Sequence, residues 1–415
     1  MTSVTPLLEA GEIAAGVRPE RAFEDLWSLV NVPSPTGRER EAAELFRNLL
    51  AEAGAEAELD EALPESPSVI GRLRGDRPGP TFQLAGHLDH IDVPHGPPTR
   101  EGETITGRGA ADMKNGLAGM LEVVRAFAAM SGRFPGELLV TAYGLHEAPR
   151  GDAAPLLGLI ERGITGDAAM VFESAGDAEG AIAVAGKGQS VWTVTLERRG
   201  SACHELQRPA EADGVLDAAI AVARRLRQHA CELESRGRSH PLLGRESLFI
   251  GRLDYGDFYN RAPQRGTLQG TRRWLPGQCF TQMKSELGAL LDAVTLPAGV
   301  NLRRDWLFVG EAYALDPHEP AVDSLRRATH RVTGAAPPDV GAMAVIDGHR
   351  LAGVGGVPTV LLGFGHATAH ADEERVTLSM LADPCRIATL TAWDYLHRCS
   401  AGDSHRQTAA EGRAS

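Results

Sequence analysis

Paired cysteines, long apolar runs and an excess of basic charge are all missing from this sequence. The five cysteines, Cys203, Cys231, Cys279, Cys385 and Cys399, are scattered, odd in number and without a C-x-x-C pair. That excludes a disulfide-stapled secreted scaffold and suits reduced thiols in a cytoplasmic protein. No segment reaches the apolar length of a membrane span, and the first residues carry acids where a signal peptide needs a basic region. Neither membrane insertion nor export is expected. Lys and Arg number 42 against 55 Asp and Glu, a formal net charge of −13. Phosphate backbones demand basic surface, so a general nucleic-acid partner is not expected. There is no H-E-x-x-H helix, which argues against a zinc endopeptidase of that kind. Internal repeats and low-complexity linkers are absent too.

What is there fits a soluble enzyme of two domains: 415 residues, 43% hydrophobic and 23% charged. Residues 39–52 place Ala43, Leu45, Phe46, Leu49 and Leu50 on one helical face. Apolar runs at 69–73, 81–85, 137–143 and 168–172 read as strands, separated by helical patterns at 117–130 and 154–163. Such alternation predicts a mostly parallel sheet with helices on both faces. From 187 to 308 the pattern changes. Residues 189–197 and 266–275 alternate as half-exposed strands, each followed by a helical stretch, at 215–229 and 280–294. This predicts a smaller α+β domain with an antiparallel sheet and two helices. The parallel pattern resumes with a helix at 321–332, a strand at 359–363 and a last helix at 378–397. The fold class expected is α/β. A catalytic domain of residues 1–186 and 309–399 carries an inserted dimerisation or lid domain, 187–308, and a disordered tail, 400–415.

The chemistry gathers around residues 86–116, which read GHLDHIDVP and, further on, GRGAADMKNG. His87 and Asp89 follow an apolar strand, and Asp112 sits in a glycine-rich turn before a helix. Glu147, Glu173 and His370 also end apolar strands or lie in the turns after them. The carboxyl ends of parallel strands are where such sheets build sites. Imidazoles mixed with carboxylates suit zinc or a similar divalent ion, with enough ligands for two ions sharing one carboxylate. Asp89 would accept the spare N–H of His87 and fix which nitrogen faces the metal.

At this point the chain resembles the co-catalytic di-zinc deacylase and carboxypeptidase family that includes acetylornithine deacetylase, succinyl-diaminopimelate desuccinylase, aminoacylase and glutamate carboxypeptidase. GHLDHIDVP resembles the family's G-H-x-D-x-V-P, and GRGAADMKNG its G-R-G-x-x-D-M-K-G-G. VFESAG, GSACHELQRP and YNRAPQRGTLQGTRRWLPG resemble later motifs, and the likeness runs from NVPSPTGRE to AHADEERV. It implies that His87 binds one ion, Asp112 bridges, Glu173 completes the first shell and His370 binds the second ion. It implies a cis peptide bond after Asp112. It further implies that His204 reaches the partner subunit's active site to donate to an oxyanion, that Arg273 grips a substrate carboxylate, and that Asn260 helps hold that pocket. The implied cofactor is zinc, one or two per chain, with cobalt or manganese possible. The implied assembly is a homodimer.

The likeness breaks at Leu145-His146-Glu147-Ala148-Pro149, where the family carries two adjacent glutamates, a general base and then a metal ligand. Two alignments stay open. If Glu147 is the base, which is the preferred alignment, Ala148 stands where the ligand was. If Glu147 is the ligand, His146 takes the base position, and imidazole has a suitable pKa for it. Glu205, after His204, is a further departure and points to a subgroup with its own substrate. The function expected is metal-dependent hydrolysis of an amide bond in an N-acyl amino acid or short peptide. The alternative is a non-hydrolytic binding protein or a biosynthetic acyltransferase on the same scaffold.

Overall fold

The computed structural model describes residues 5–173, 180–342 and 344–401. The chain divides into two compact units. One takes the chain up to Val184, Leu315–Val340 and the part from Ile346 on. The other takes Ala185–Ala314 and Gly341–Val345.

The first unit is built on a six-stranded sheet. Its strands in chain order are β1 (Glu56–Asp60), β2 (Ser68–Arg74), β3 (Arg77–His87), β4 (Pro135–Tyr143), β5 (Ala168–Val171) and a short last strand, Thr359–Leu361. Spatially the order is β1-β2-β4-β3-β5 and then Thr359–Leu361. The three pairings from β4 to the last strand are parallel, and β1 and β2 add an antiparallel edge. β3 lies between β4 and β5, so its last six residues, Phe82 to His87, are buried. A strand covered on both faces needs a near-continuous apolar run, and Phe82–Ala85 supplies it. The one polar side chain there, Gln83, is satisfied by Thr141 Oγ1 at 2.8 Å and the Gly166 N–H at 3.0 Å.

Helix Asn115–Ala129 has twelve buried residues and lies close to neighbouring backbone. A Cβ on Gly116 would sit 2.3 Å from the Phe172 carbonyl oxygen, and one on Gly119 2.4 Å from the Phe364 ring. The small residues of this helix are therefore a packing requirement. The last helix, Leu378–Ala401, runs four residues past its expected end at 397. Most of the tail expected at 400–415 lies outside the described residues. A first helix, Thr5–Gly16, was not anticipated; Gly11 and Gly16 weaken its signal in the sequence.

The second unit carries a four-stranded antiparallel sheet of β6 (Gly188–Arg198), β7 (Ser247–Tyr255), β8 (Arg265–Trp274) and β9 (Val300–Gly310), in the order β7-β8-β6-β9. Helices Gly214–Ser235 and Phe280–Asp292 bury Val215, Val222, Leu226, Leu287 and Leu291 with Trp192, Val194, Leu196 and Leu268 of the sheet. Two of the four strands, β7 and β9, escaped the sequence pattern. β9 carries Arg303, Arg304 and Asp305 mid-strand, which hides its alternation, and β7 is an edge strand with exposed Phe249 and Leu253.

Candidate active site

Sheet topology brings the strand-end residues of the first unit together. His87 closes β3, His146 and Glu147 follow β4, Glu173 follows β5, and His370 lies in the loop after Thr359–Leu361. Asp112 belongs to an irregular turn, Ala110–Lys114, ahead of helix Asn115–Ala129. That turn is held from several sides. Glu374 binds Arg108 Nη1 at 2.8 Å with one oxygen and accepts the Ala111 N–H at 3.1 Å with the other. The buried Lys114 ammonium donates to the carbonyls of Leu29 and Val32, and burial lowers its pKa to about 7. The Asp112–Met113 and Ala148–Pro149 peptide bonds are cis.

Asp112 divides its carboxylate between two imidazoles. Oδ1 is 3.2 Å from His87 Nε2, and Oδ2 is 3.2 Å from His370 Nε2. Glu147 Oε1 is 3.0 Å from the same His370 nitrogen. Burial opposes ionisation of Asp112, but hydrogen bonds from His370 and His87 hold its carboxyl well below the usual carboxylate range. Hydrogen bonds to Asp112 and Glu147 raise His370 to about 10. His370 is the exposed member of the group; His87, Asp112, Glu147 and Glu173 are buried.

Glu173 closes the opposite side. Burial pushes its carboxyl up to about 8, and its Oε2 is a buried oxygen with no hydrogen-bond partner among the described residues. A buried carboxylate oxygen lacking a donor is costly unless a cation meets it. Ligand atoms of His87, Asp112 and Glu147 lie within 4.8 Å of one another, as do those of His87, His146 and Glu173. This donor set, imidazole with carboxylate, fits a divalent ion of the zinc kind.

His146 differs from the other two imidazoles. Its ring stacks on that of His87, with centroids 4.0 Å apart and planes 5° from parallel. An imidazole lone pair lies in its ring plane, so two stacked parallel rings cannot both point at one ion. His146 Nδ1 instead pairs with Asp347 Oδ2 at 3.0 Å, leaving Nε2 turned toward Glu173 Oε1 at 4.0 Å. Burial opposes protonation, yet the Asp347 carboxylate raises His146 to about 9. Asp89 contacts His87 Nδ1 through its main-chain oxygen at 3.0 Å and its carboxylate at 3.6 Å. Its carboxylate also accepts the N–H groups of His146 and Glu147, at 3.1 and 2.9 Å, and so fixes the loop that carries both.

The sequence pattern of the peptidase family M20/M25/M40 matches residues 83–393, three quarters of the chain. The chain belongs to this family. Among curated relatives, it is 29% identical over 153 residues to an N-formyl-4-amino-5-aminomethyl-2-methylpyrimidine deformylase of Bacillus subtilis, covering 34% of this chain and 35% of that protein. It is 33% identical over 135 residues to a succinyl-diaminopimelate desuccinylase of Methylobacterium nodulans, covering 29% and 33%. The matched stretch thus spans about a third of the length of these relatives. An M20 family metallo-carboxypeptidase structure from Sulfolobus solfataricus superposes with a TM-score of 0.73 at 16% identity, covering 90% of this chain and 99% of that one. At that identity the likeness speaks for the M20 fold.

The other three site candidates of this M20 chain lie in the second unit. His204 pairs with Arg261 across a short two-stranded ladder, and the Asn260 side-chain amide is 3.4 Å from its Nε2. Its Nδ1 accepts the Leu206 N–H at 3.2 Å. The guanidinium of Arg273, half-buried on β8, has no hydrogen bond or ion pair among the described residues, and burial lowers its pKa. Arg272, its neighbour, is buried against Glu246. Sequence reasoning passed over Asp347, Arg350, Arg108 and Glu374. Arg108 and Glu374 lie inside recognisable motifs and could have been read. Asp347, 201 positions from His146, carries no local signal.

Proposed function

We propose that this M20 chain is a metal-dependent hydrolase of the amide bond in an N-acyl amino acid or short peptide. The observation that carries the proposal is Asp112, whose two oxygens face His87 on one side and His370 on the other, with Glu173 and Glu147 completing the two ends. His87, Asp112 and Glu173 would hold one ion, and Asp112, Glu147 and His370 a second. Zinc suits this donor set, with cobalt or manganese as substitutes. When bound, such ions would polarise a scissile carbonyl and acidify water.

Of the two alignments of the H-E-A-P segment, the sequence alone favours Glu147 as base; we propose the other, with Glu147 as ligand. Its support is the 3.0 Å from Glu147 Oε1 to His370 Nε2 and the orientation of His146, which faces Asp347 and Glu173 in a plane parallel to His87. His146 Nε2 would take a proton from the attacking water and return it to the leaving nitrogen. His204 would donate to the oxyanion developing in the partner subunit's active site, with Asn260 beside it.

Arg273 would bind the substrate carboxylate, since a half-buried guanidinium without an anionic partner among the described residues is suited to one. Arg273→Ala is expected to raise KM by roughly 10- to 100-fold for substrates with a free carboxylate. Their carboxamide analogues should change little, and steady-state kinetics on matched pairs reads the difference.

A homodimer and a cytoplasmic location belong to the same proposal. Supporting them are the exposed edge of β7 with Phe249 and Leu253, and an odd number of scattered cysteines without a C-x-x-C pair. Among the described residues no helix is long and apolar enough to cross a membrane. A panel of N-acyl amino acids and dipeptides, assayed on metal-stripped protein and after adding zinc, cobalt or manganese, tests the function. Cleavage that appears only with metal is the expected result. Equal cleavage without metal, or metal binding with no cleavage of any amide, would overturn it.

A further inference from the structure

Asp347 and Arg350 form a buried pair beside the metal-ligand candidates that no step above uses. Helix Asp347–Gly353 begins with Asp347, which is fully buried, and carries Arg350 one turn later. The two carboxylate oxygens are assigned separately: Oδ1 accepts from Arg350 Nη1, and Oδ2 lies 3.0 Å from His146 Nδ1. Arg350 therefore fixes the carboxylate, and the carboxylate fixes the ring. A carboxylate can only accept, so Nδ1 must carry the proton. In the neutral ring Nε2 then keeps its lone pair, and Nε2 is the nitrogen that faces Glu173.

We propose that Asp347, clamped by Arg350, is the positioning residue of His146: it holds the imidazole in the Nδ1–H tautomer and aims Nε2 at the reacting atoms. The inference rests on His146 being the base. It assigns the lost glutamate's task to a histidine–aspartate pair assembled from two distant segments. Glutamate needs no such partner, because either oxygen can take a proton in more than one orientation. Imidazole does, because only one of its two nitrogens faces the substrate and the wrong tautomer presents a hydrogen there. The proton balance closes within the pair. Water gives its proton to Nε2 as its oxygen bonds to the carbonyl carbon. The Nδ1–H stays on nitrogen against Asp347, and Nε2–H passes to the amine as the C–N bond breaks.

The test uses the zinc-loaded full chain, labelled with nitrogen-15 in its histidine rings, the His146 signals being assigned by their loss in His146→Gln. The wild type is expected to show His146 protonated at Nδ1. In Asp347→Asn, where the amide can donate as well as accept, the proton should shift to Nε2 with zinc content unchanged. On the N-acyl amino acid of the panel that the wild type cleaves fastest, kcat should fall by about 100-fold or more, with KM nearly constant. In the His146→Gln background, Asp347→Asn should add less than about a twofold loss, since the two residues act as one unit. If His146→Gln is inactive but Asp347→Asn changes neither the ring signals nor kcat, or loses zinc, the positioning role is overturned while the base survives. If His146→Gln keeps the wild-type kcat, the base assignment itself is overturned. Should Asp347→Asn not fold, the wild-type spectrum still decides: an unprotonated Nδ1 on His146 contradicts the proposal.

Discussion

His146→Gln is expected to lower kcat by roughly 10²- to 10⁴-fold, the usual worth of a positioned base, while the protein keeps its metal. Glu147→Gln is expected to do the reverse in order of cause: metal affinity falls by about 100-fold or more, and activity returns in part when excess metal is supplied. Glu147 shares the His370 nitrogen with Asp112, so removing its charge takes an anionic ligand from that side. His146 lies in a plane parallel to His87 and cannot converge with it on an ion, so its loss removes a proton acceptor instead. Elemental analysis and kinetics on both variants separate the two alignments. If Glu147→Gln keeps its metal and loses only kcat, Glu147 is the base and the assignment fails.

The second large effect is expected at Asp112. Its two oxygens serve both sides of the group, so Asp112→Ala should abolish high-affinity uptake of both ions together. The corresponding fall in kcat/KM is on the order of 10⁴-fold or more, as for residues whose loss disables a whole catalytic unit. Truncating either end should be milder. Glu173→Ala or His370→Ala would each leave the opposite side with its own ligands. A metal titration distinguishes the cases: no tight site remains in Asp112→Ala, and one remains in each end variant. Retention of two tight sites without Asp112 would contradict a shared carboxylate. The turn that presents Asp112 is braced independently by Arg108, Glu374 and Lys114, so the substitution removes a ligand from a backbone held elsewhere.

Several of these residues were legible in the sequence for a physical reason. In a largely parallel sheet the chain must place its loops at the carboxyl ends of strands, so His87, Glu147, Glu173 and His370 announce themselves by following apolar runs. The sheet followed from the same alternation. Asp112 was readable through its glycine-rich turn. The H-E-A-P segment could be read only to an ambiguity. One glutamate fits either of two roles, and the choice depends on which side of the group its carboxylate reaches, a property of the loop's path and not of its residues. Asp347 was beyond reach because its meaning lies wholly in a contact across 201 positions. β9 was missed for the opposite reason: Arg303, Arg304 and Asp305 obey the pleat but defeat a reading by hydrophobicity.

The central claim is that the imidazoles and carboxylates around Asp112 hold divalent metal for hydrolysis. Calorimetric titration of metal-stripped wild-type chain with zinc, with amide cleavage followed on the same samples, tests it most directly. The account expects about two zinc ions per chain and hydrolysis that rises with their uptake. Zinc stoichiometry near zero, or hydrolysis that persists undiminished in the stripped protein, would contradict it.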